Sequence, residues 1–142
     1  MMAGTEARRS QYNRDAILSA TPVRLLTMLY DRLLLDLGRT EAAQQVQGWT
    51  VASENLLHAQ AIVAELTSSL NVEAWDGGEG LLALYAYVSN ALISANIHRD
   101  IERTRESIAL LEPLRQAWHE AAGMLPASTV SSTRAGGSLG IA

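Results

Sequence analysis

Apolar residues recur every three or four positions along four stretches of the chain, which is the spacing of one face of an α-helix. The first stretch begins at Pro22, which suits the first turn of a helix because its missing N–H would have no partner there. Thr21 precedes it as a candidate N-cap, and Gly48 is the candidate stop after about Gln47. The pattern therefore predicts a long first helix.

Three further helices are predicted at about 50–70, 79–98 and 100–122. The Asp76-Gly77-Gly78 sequence separates the second from the third, and Pro113 is expected to kink or divide the fourth. No segment shows the sustained period-two alternation of a strand. Four helices with short connections predict an all-α fold, an antiparallel four-helix bundle with a short N-terminal helical or extended cap.

The 142 residues are expected to form one domain with unstructured ends. Residues 1–11 are small and polar without periodicity and are expected to be disordered. The folded body is placed at 12–122. Residues 123–142 have the Gly/Ser/Thr composition that is typical of a flexible tail.

The first and third helices carry more large apolar residues than one core face needs. On the first helix, Met28 and Leu35 lie opposite the core stripe, and Leu25 lies between the two sides. The third helix has a second stripe that includes Leu82, Ala86, Ile93 and Ile97. Together the two sets could form an apolar strip for a partner helix, at roughly 1.5–3 kcal/mol for each large side chain covered.

Two other interpretations of these residues stay open. Met28 and Leu35 could be isolated exposed apolar residues, which are common on protein surfaces. The third helix could instead be central in the bundle, so that other helices bury both of its stripes. Periodicity alone does not separate these possibilities.

Composition and charge exclude several classes of protein. The formal net charge of −4 and the dispersed basic residues argue against a nucleic-acid-binding surface. The absence of cysteine excludes disulfides and thiol chemistry. The N-terminus lacks the apolar segment of a signal peptide, and no apolar run is expected to approach the roughly 20 residues needed to span a membrane. We expect a soluble cytoplasmic protein without membrane insertion.

The polar residues do not form a recognisable catalytic or metal-binding motif. His58, His98 and His119 lie on three different predicted helices, without the close ligand pairs of a zinc site. The glycine-rich stretch at 76–80 lacks the Lys-Ser/Thr ending of a phosphate-binding loop and follows no strand. We expect no metal, no cofactor and no enzymatic activity.

Specific motifs resemble those of a known family. Tyr12 is followed by Ala20-Thr-Pro-Val-Arg-Leu-Leu-Thr-Met-Leu-Tyr-Asp31, which resembles the N-terminal signature of the flagellin export chaperone family FliS. Further matches follow in the family's order: Ala61–Leu66, Ser69–Asn71, Leu84–Tyr87, Ala95-Asn96 and Leu114–Trp118. The chain departs from the pattern where Thr21 replaces Ser and Arg32 replaces Gly, and in the position of Gly77-Gly78-Glu79 nearer to Leu84.

The resemblance implies a cytoplasmic chaperone that binds the disordered C-terminal segment of flagellin. Such chaperones prevent premature polymerisation and help deliver flagellin to the export gate of the flagellar type III apparatus. The resemblance also implies that the N-terminal segment can shield the binding groove, although permanent packing of this segment stays equally open. The expected partner surface consists of Tyr12, Ile17, Leu18, Leu25, Met28, Leu35, Leu82, Ile93 and Ile97.

A second hypothesis is a structural bundle that has no client. Its second apolar face would then mediate self-association. The oligomeric state expected from the sequence is a monomer or a weak homodimer.

Overall fold

The computed structural model describes residues 22–74 and 76–124. Within these residues the chain forms four α-helices and a short 3₁₀ turn, with no strand. The helices are α1 (Pro22–Gln45), α2 (Trp49–Ser69), α3 (Gly78–Ile97) and α4 (Ile101–Gly123), and the 3₁₀ turn is Val72–Ala74. The predicted all-α fold is confirmed. The predicted cap, Thr21, the 1–11 segment and the tail beyond Met124 lie outside the described residues.

The helices are arranged as a square bundle. Helix α1 packs against α2 and α4, and α3 packs against the same two neighbours. Helices α1 and α3 therefore occupy opposite corners, and their outer faces point in different directions. This arrangement decides which exposed residues lie near each other.

The core is built from the apolar stripes that the spacing predicts. Tyr30, Leu33 and Leu37 of α1 are fully buried, and so is Leu111 of α4. Helix α2 buries an apolar stripe with helical spacing, and Leu70 just after its end is partly exposed; the stripe consists of Ala52, Leu56, Ala59, Val63 and Leu66. The core cluster also contains Ile62 of α2 and Tyr85 of α3.

Several polar residues are also buried, and the apolar pattern did not identify them. The Asp36 carboxylate lies between α1 and α2, where Arg32 Nε is 3.2 Å away and His58 Nδ1 is hydrogen-bonded to it. The Thr40 hydroxyl donates to the Asp36 carbonyl at 2.9 Å, and the Ser107 hydroxyl donates to a carbonyl one turn earlier. Local hydrogen bonds of this kind allow small polar residues inside a helical core.

The predicted stop at Gly48 is not where α1 ends. The helix ends at Gln45, and Gln47 takes the left-handed backbone conformation, with φ of 60°. The Gly48 N–H donates to the Ala43 carbonyl at 2.7 Å, and Gly48 then serves as the N-cap of α2. The sequence suggested glycine for the left-handed position because glycine adopts it without steric cost.

Pro113 does not divide the fourth helix. Helix α4 is continuous from Ile101 to Gly123, with Pro113 inside it. Pro113 and Ala109, whose carbonyl loses its usual N–H donor, are both exposed. The helix continues because the lost hydrogen bond lies on the solvent side, where the free carbonyl does not have to be buried.

Candidate functional site

Five members of the predicted apolar partner surface, on α1 and α3, are solvent-exposed. Met28 and Leu35 of α1 expose 59% and 45% of their area. Leu82, Ile93 and Ile97 of α3 expose 37%, 41% and 69%. This confirms their predicted exposure and excludes the alternative in which both stripes of α3 are buried. Leu25 is only partly exposed, and Tyr12, Ile17 and Leu18 lie outside the described residues.

These residues do not form one continuous strip. Met28 and Leu35 lie on the outer side of α1, whereas Leu82 and Ile93 lie on α3 at the opposite corner of the bundle. The expectation that the two helices contribute to a single strip is therefore wrong. Periodicity gives the direction of a side chain around its own helix, but it does not give the order of helices around a bundle.

The two sets have different charge environments. The apolar part of the outer surface of α1, which we call the α1 ridge, consists of Met28 and Leu35. Charged side chains surround it, and Arg32 and Arg39 lie on either side of Leu35. Isolated apolar residues among charges are ordinary surface features.

The exposed apolar residues of α3, Leu82 and Ile93, border the groove between α2 and α3. His58 lies on the α1 side of α2, and Tyr87 contacts α4 through Glu106. At 100° per residue, Leu57 of α2 and Leu82 and Ile93 of α3 therefore lie on the sides that border the α2–α3 groove. We call this surface the α2–α3 face, and it consists of Leu57, Ala64, Leu82, Ala86 and Ile93, all of which are exposed.

Within residues 22–74 and 76–124, no charged side chain interrupts the α2–α3 face. The only charged residue of α3 is Glu79, in its first turn. The charged residues of α2, including Glu54 and Glu65, fall on the α1 side of that helix. The ion pairs between described residues connect α1 with α2 or with α4 or lie within one helix, and none involves α3. Sequence reasoning missed Leu57, although the absence of charge at positions 53, 57, 60, 64 and 67 was a readable signal.

An apolar cavity of about 240 Å³ opens at the end of the bundle where α1 begins. Its lining includes Leu25 and Leu29 of α1, Leu66 and Leu70 of the α2 end, and Trp118 of α4. Leu25, which the helical wheel placed between the two sides of α1, therefore belongs to this cavity and not to the α1 ridge. The cavity provides an apolar site for side chains from another segment.

Two tyrosines form a hydrogen bond beneath this cavity. The hydroxyls of Tyr30 and Tyr85 are 2.8 Å apart across the bundle, and the Tyr30 ring lies 6.4 Å from the Trp118 ring. Burial raises the pKa of both tyrosines, and hydrogen bonds from Tyr85 and Trp118 only partly oppose this at Tyr30. The neutral pair joins the diagonal helices α1 and α3 through their side chains.

Ion pairs connect α1 with α4. Asp31 accepts from Arg115 Nη1 at 3.0 Å and contacts His119 Nε2 at 2.7 Å. Slight burial acts to raise the pKa of Asp31. The hydrogen bonds from His119 and Arg115 outweigh this effect and hold the pKa below its ordinary value. Further along the same boundary, Arg105 Nε lies 2.7 Å from Glu41. These charged contacts distinguish the α1–α4 boundary from the α2–α3 face.

The described residues contain no group of three or more metal-ligating side chains. His58 and His119 are each paired with an aspartate, and His98 is the C-cap of α3. These histidines therefore have structural partners or helix-end positions.

Helix α3 corrects one sequence expectation. It is long and apolar enough to cross a membrane by length and composition, although no such segment was expected. The reason is that Glu79 is the only charge among its 20 residues. One such helix is weak evidence for a membrane protein, because a core helix passes the same test, and Tyr85, Val88 and Leu92 of α3 form part of the bundle core.

The fold and its surfaces define a small helical-bundle binding protein with an uncharged apolar face. The family model described as "Flagellar protein FliS" matches residues 4–124. The chain belongs to the FliS family of flagellar secretion chaperones. This is a chaperone family and not an enzyme family, so the protein acts as a chaperone in flagellar export.

Similar proteins have the same designation. The Flagellar secretion chaperone FliS of Escherichia coli (strain K12) is 32% identical over 119 residues, which cover 82% of this chain and 88% of that protein. The Bacillus subtilis (strain 168) protein of that name is 30% identical over 110 residues, covering 78% and 82%. A solved structure titled "Crystal structure of flagellar chaperone from bacteria" superposes with a TM-score of 0.67 at 18% identity, covering 84% of this chain and 98% of that one. At this identity the structure supports the fold alone.

Proposed function

We propose that this protein is a cytoplasmic export chaperone that binds the C-terminal segment of flagellin on its α2–α3 face. Binding would hide the segment's assembly surface, prevent premature polymerisation and help deliver flagellin to the flagellar type III export gate. The observation that carries this proposal is the uncharged α2–α3 face with its exposed Leu57, Leu82 and Ile93. Membership of the FliS family supports a client in flagellar export.

The physical basis is the burial of apolar surface by a segment that folds on binding. An amphipathic helix in the α2–α3 groove would bury its own apolar stripe together with the exposed parts of Leu82 and Ile93. Because these two side chains are already more than half buried, covering the remainder contributes roughly 1 kcal/mol each. The client loses conformational entropy when it orders, so several such contacts are required.

The test is co-purification of the full chain with a flagellin C-terminal fragment. Leu82→Glu with Ile93→Glu should weaken binding roughly thirty-fold or more, since two covered side chains are lost and two carboxylates are desolvated. Both side chains are partly exposed in the free protein, so the helical circular dichroism should be retained, while the loss of their buried parts should lower the melting temperature. Met28→Glu with Leu35→Glu, which places the same charges on the α1 ridge, is the matched control and should retain binding.

Each alternative has its own outcome. If only the Met28 and Leu35 variant loses binding, the client occupies the α1 ridge and the assignment to the α2–α3 face is wrong. If the unmodified chain fails to bind the fragment and light scattering shows a salt-resistant homodimer, the self-association hypothesis replaces the chaperone–client proposal.

We further propose that Tyr12, Ile17 and Leu18 cover the apolar cavity in the free protein. The cavity lies at the end where α1 begins at Pro22, so the preceding ten residues have enough reach to fold over it. We propose that side chains of the client also enter this cavity, so removal of residues 1–18 should strengthen binding of the fragment with little loss of stability. A large fall in melting temperature without a gain in binding would identify permanent packing instead.

A further inference from the structure

We propose that a second, polar cavity at the opposite end of the bundle binds a carboxylate group. This cavity of about 180 Å³ lies between the C-terminal ends of α1 and α3 and the N-terminal end of α2. Its polar lining includes Gln44, Ser53, Asn96 and Arg99, and the Trp49 ring forms one wall. It lies at the end of the α2–α3 groove and shares no residue with the apolar α2–α3 face, and the small probes used below contain no part of the proposed client.

Gln44 is the first observation that points to a ligand. Its side chain is 95% buried, since the residue exposes only 5% of its area. Neither its amide nitrogen nor its amide oxygen has a hydrogen-bond partner among the described residues. A buried amide without partners is unfavourable, because it has lost its hydration and gained nothing in exchange. A polar ligand in the cavity would supply the missing partner once the Gln44 side chain turns toward it, because the amide atoms are enclosed in the free protein.

Arg99 is the second observation. It has φ of 52°, a left-handed conformation that non-glycine residues adopt at a cost. Its guanidinium lies 5.1 Å from the centroid of the Trp49 ring, and no carboxylate pairs with it among the described residues. The adjacent Asp100 is not available, because its carboxylate caps α4 through the Glu102 N–H at 3.0 Å. The left-handed backbone thus places the exposed Arg99 guanidinium at the rim of the cavity, against the Trp49 ring.

These groups together match a carboxylate. Arg99 supplies positive charge and parallel N–H donors, and the amides of Gln44 and Asn96 supply further N–H groups. A neutral ligand would leave the guanidinium without a counter-charge. The volume suits one small carboxylate, either the C-terminal carboxylate of a peptide or the side chain of an acidic residue.

NMR titration of the full chain with three blocked probes tests this assignment. N-acetyl-Ala-Ala has a free terminal carboxylate, N-acetyl-Glu-amide has a side-chain carboxylate, and N-acetyl-Ala-amide has none. At least one acidic probe should shift the Gln44 side-chain amide and Trp49 indole N–H signals saturably. A dissociation constant on the order of 1 mM is expected for a probe with so few atoms. The two acidic probes identify the source of the carboxylate.

Two variants with a matched control locate the binding. Arg99→Gly removes the guanidinium and relieves the backbone strain, so it should lose at least about tenfold in affinity without loss of stability. Gln47→Gly relieves the same kind of strain in the connection between α1 and α2, where Gln47 has φ of 60°. This variant should bind the probes as the unmodified chain does. Gln44→Leu should also lose binding and should raise the melting temperature by roughly 4 °C or more.

Three results would overturn the proposal. Equal shifts from the neutral probe would show that the cavity does not recognise charge. The absence of a saturable shift with both acidic probes would show that the cavity holds water only. Unchanged affinity in a folded Arg99→Gly or Gln44→Leu variant would place binding elsewhere. None of these results bears on the binding of flagellin.

Discussion

Replacing Gly78 by alanine tests the close contact that closes the connection between α2 and α3. A Cβ added at Gly78 would lie 2.2 Å from the Val72 carbonyl oxygen and 2.8 Å from two other Val72 backbone atoms. Backbone atoms cannot rotate away, so the 3₁₀ turn must shift. Overpacking of this kind costs about 1–3 kcal/mol, whereas replacing a helical glycine by alanine gains about 0.5–1 kcal/mol. A net destabilisation of roughly 1–2 kcal/mol follows.

Gly80 is the matched control on the same helix. A Cβ added there meets no heavy atom within 4 Å among the described residues, so Gly80→Ala should only gain helix propensity. Urea unfolding monitored by circular dichroism should separate the two variants by roughly 2 kcal/mol, with Gly78→Ala the less stable. If the two variants are equally stable, the contact with Val72 does not constrain the fold. Because Ala74 of the same turn lines the apolar cavity, Gly78→Ala should also change that cavity.

Three other predictions concern buried and charged side chains. Tyr30→Phe should destabilise the protein by about 1–3 kcal/mol, because it leaves the buried Tyr85 hydroxyl without this partner, and adding Tyr85→Phe should recover part of the loss in thermal unfolding. Thr104→Val should raise the melting temperature, because the Thr104 hydroxyl is fully buried without a partner among the described residues; a fall would show that the hydroxyl is satisfied. The lowered pKa of Asp31 means that its ion pairs stabilise the fold above the ordinary aspartate pKa of about 4, and this contribution is lost as the pH falls through the lower folded pKa. The stability difference between the unmodified chain and Asp31→Asn should therefore shrink under acid, and a difference independent of pH would contradict the ion-pair interpretation.

The candidate site was only partly predictable. Helical spacing was sufficient to identify Met28, Leu35, Leu82 and Ile93 as side chains that point away from the core. It did not show that the first two lie at a different corner from the last two, because that depends on contacts between distant parts of the chain. Helical spacing also did not assign Leu25 to a surface, because the cavity that Leu25 lines is formed by the ends of several helices together.

The amino-acid sequence by itself determined the four helices and the side of each that faces inward. These are consequences of local periodicity, which any single helix expresses without reference to its neighbours. The tertiary structure alone decided which helices are adjacent, and hence that α2 and α3 share an uncharged face while α1 borders charged contacts with α4. It also placed Asp36, Gln44 and Thr104 inside the bundle, because burial of a polar residue depends on the partners or cavities that folding brings beside it.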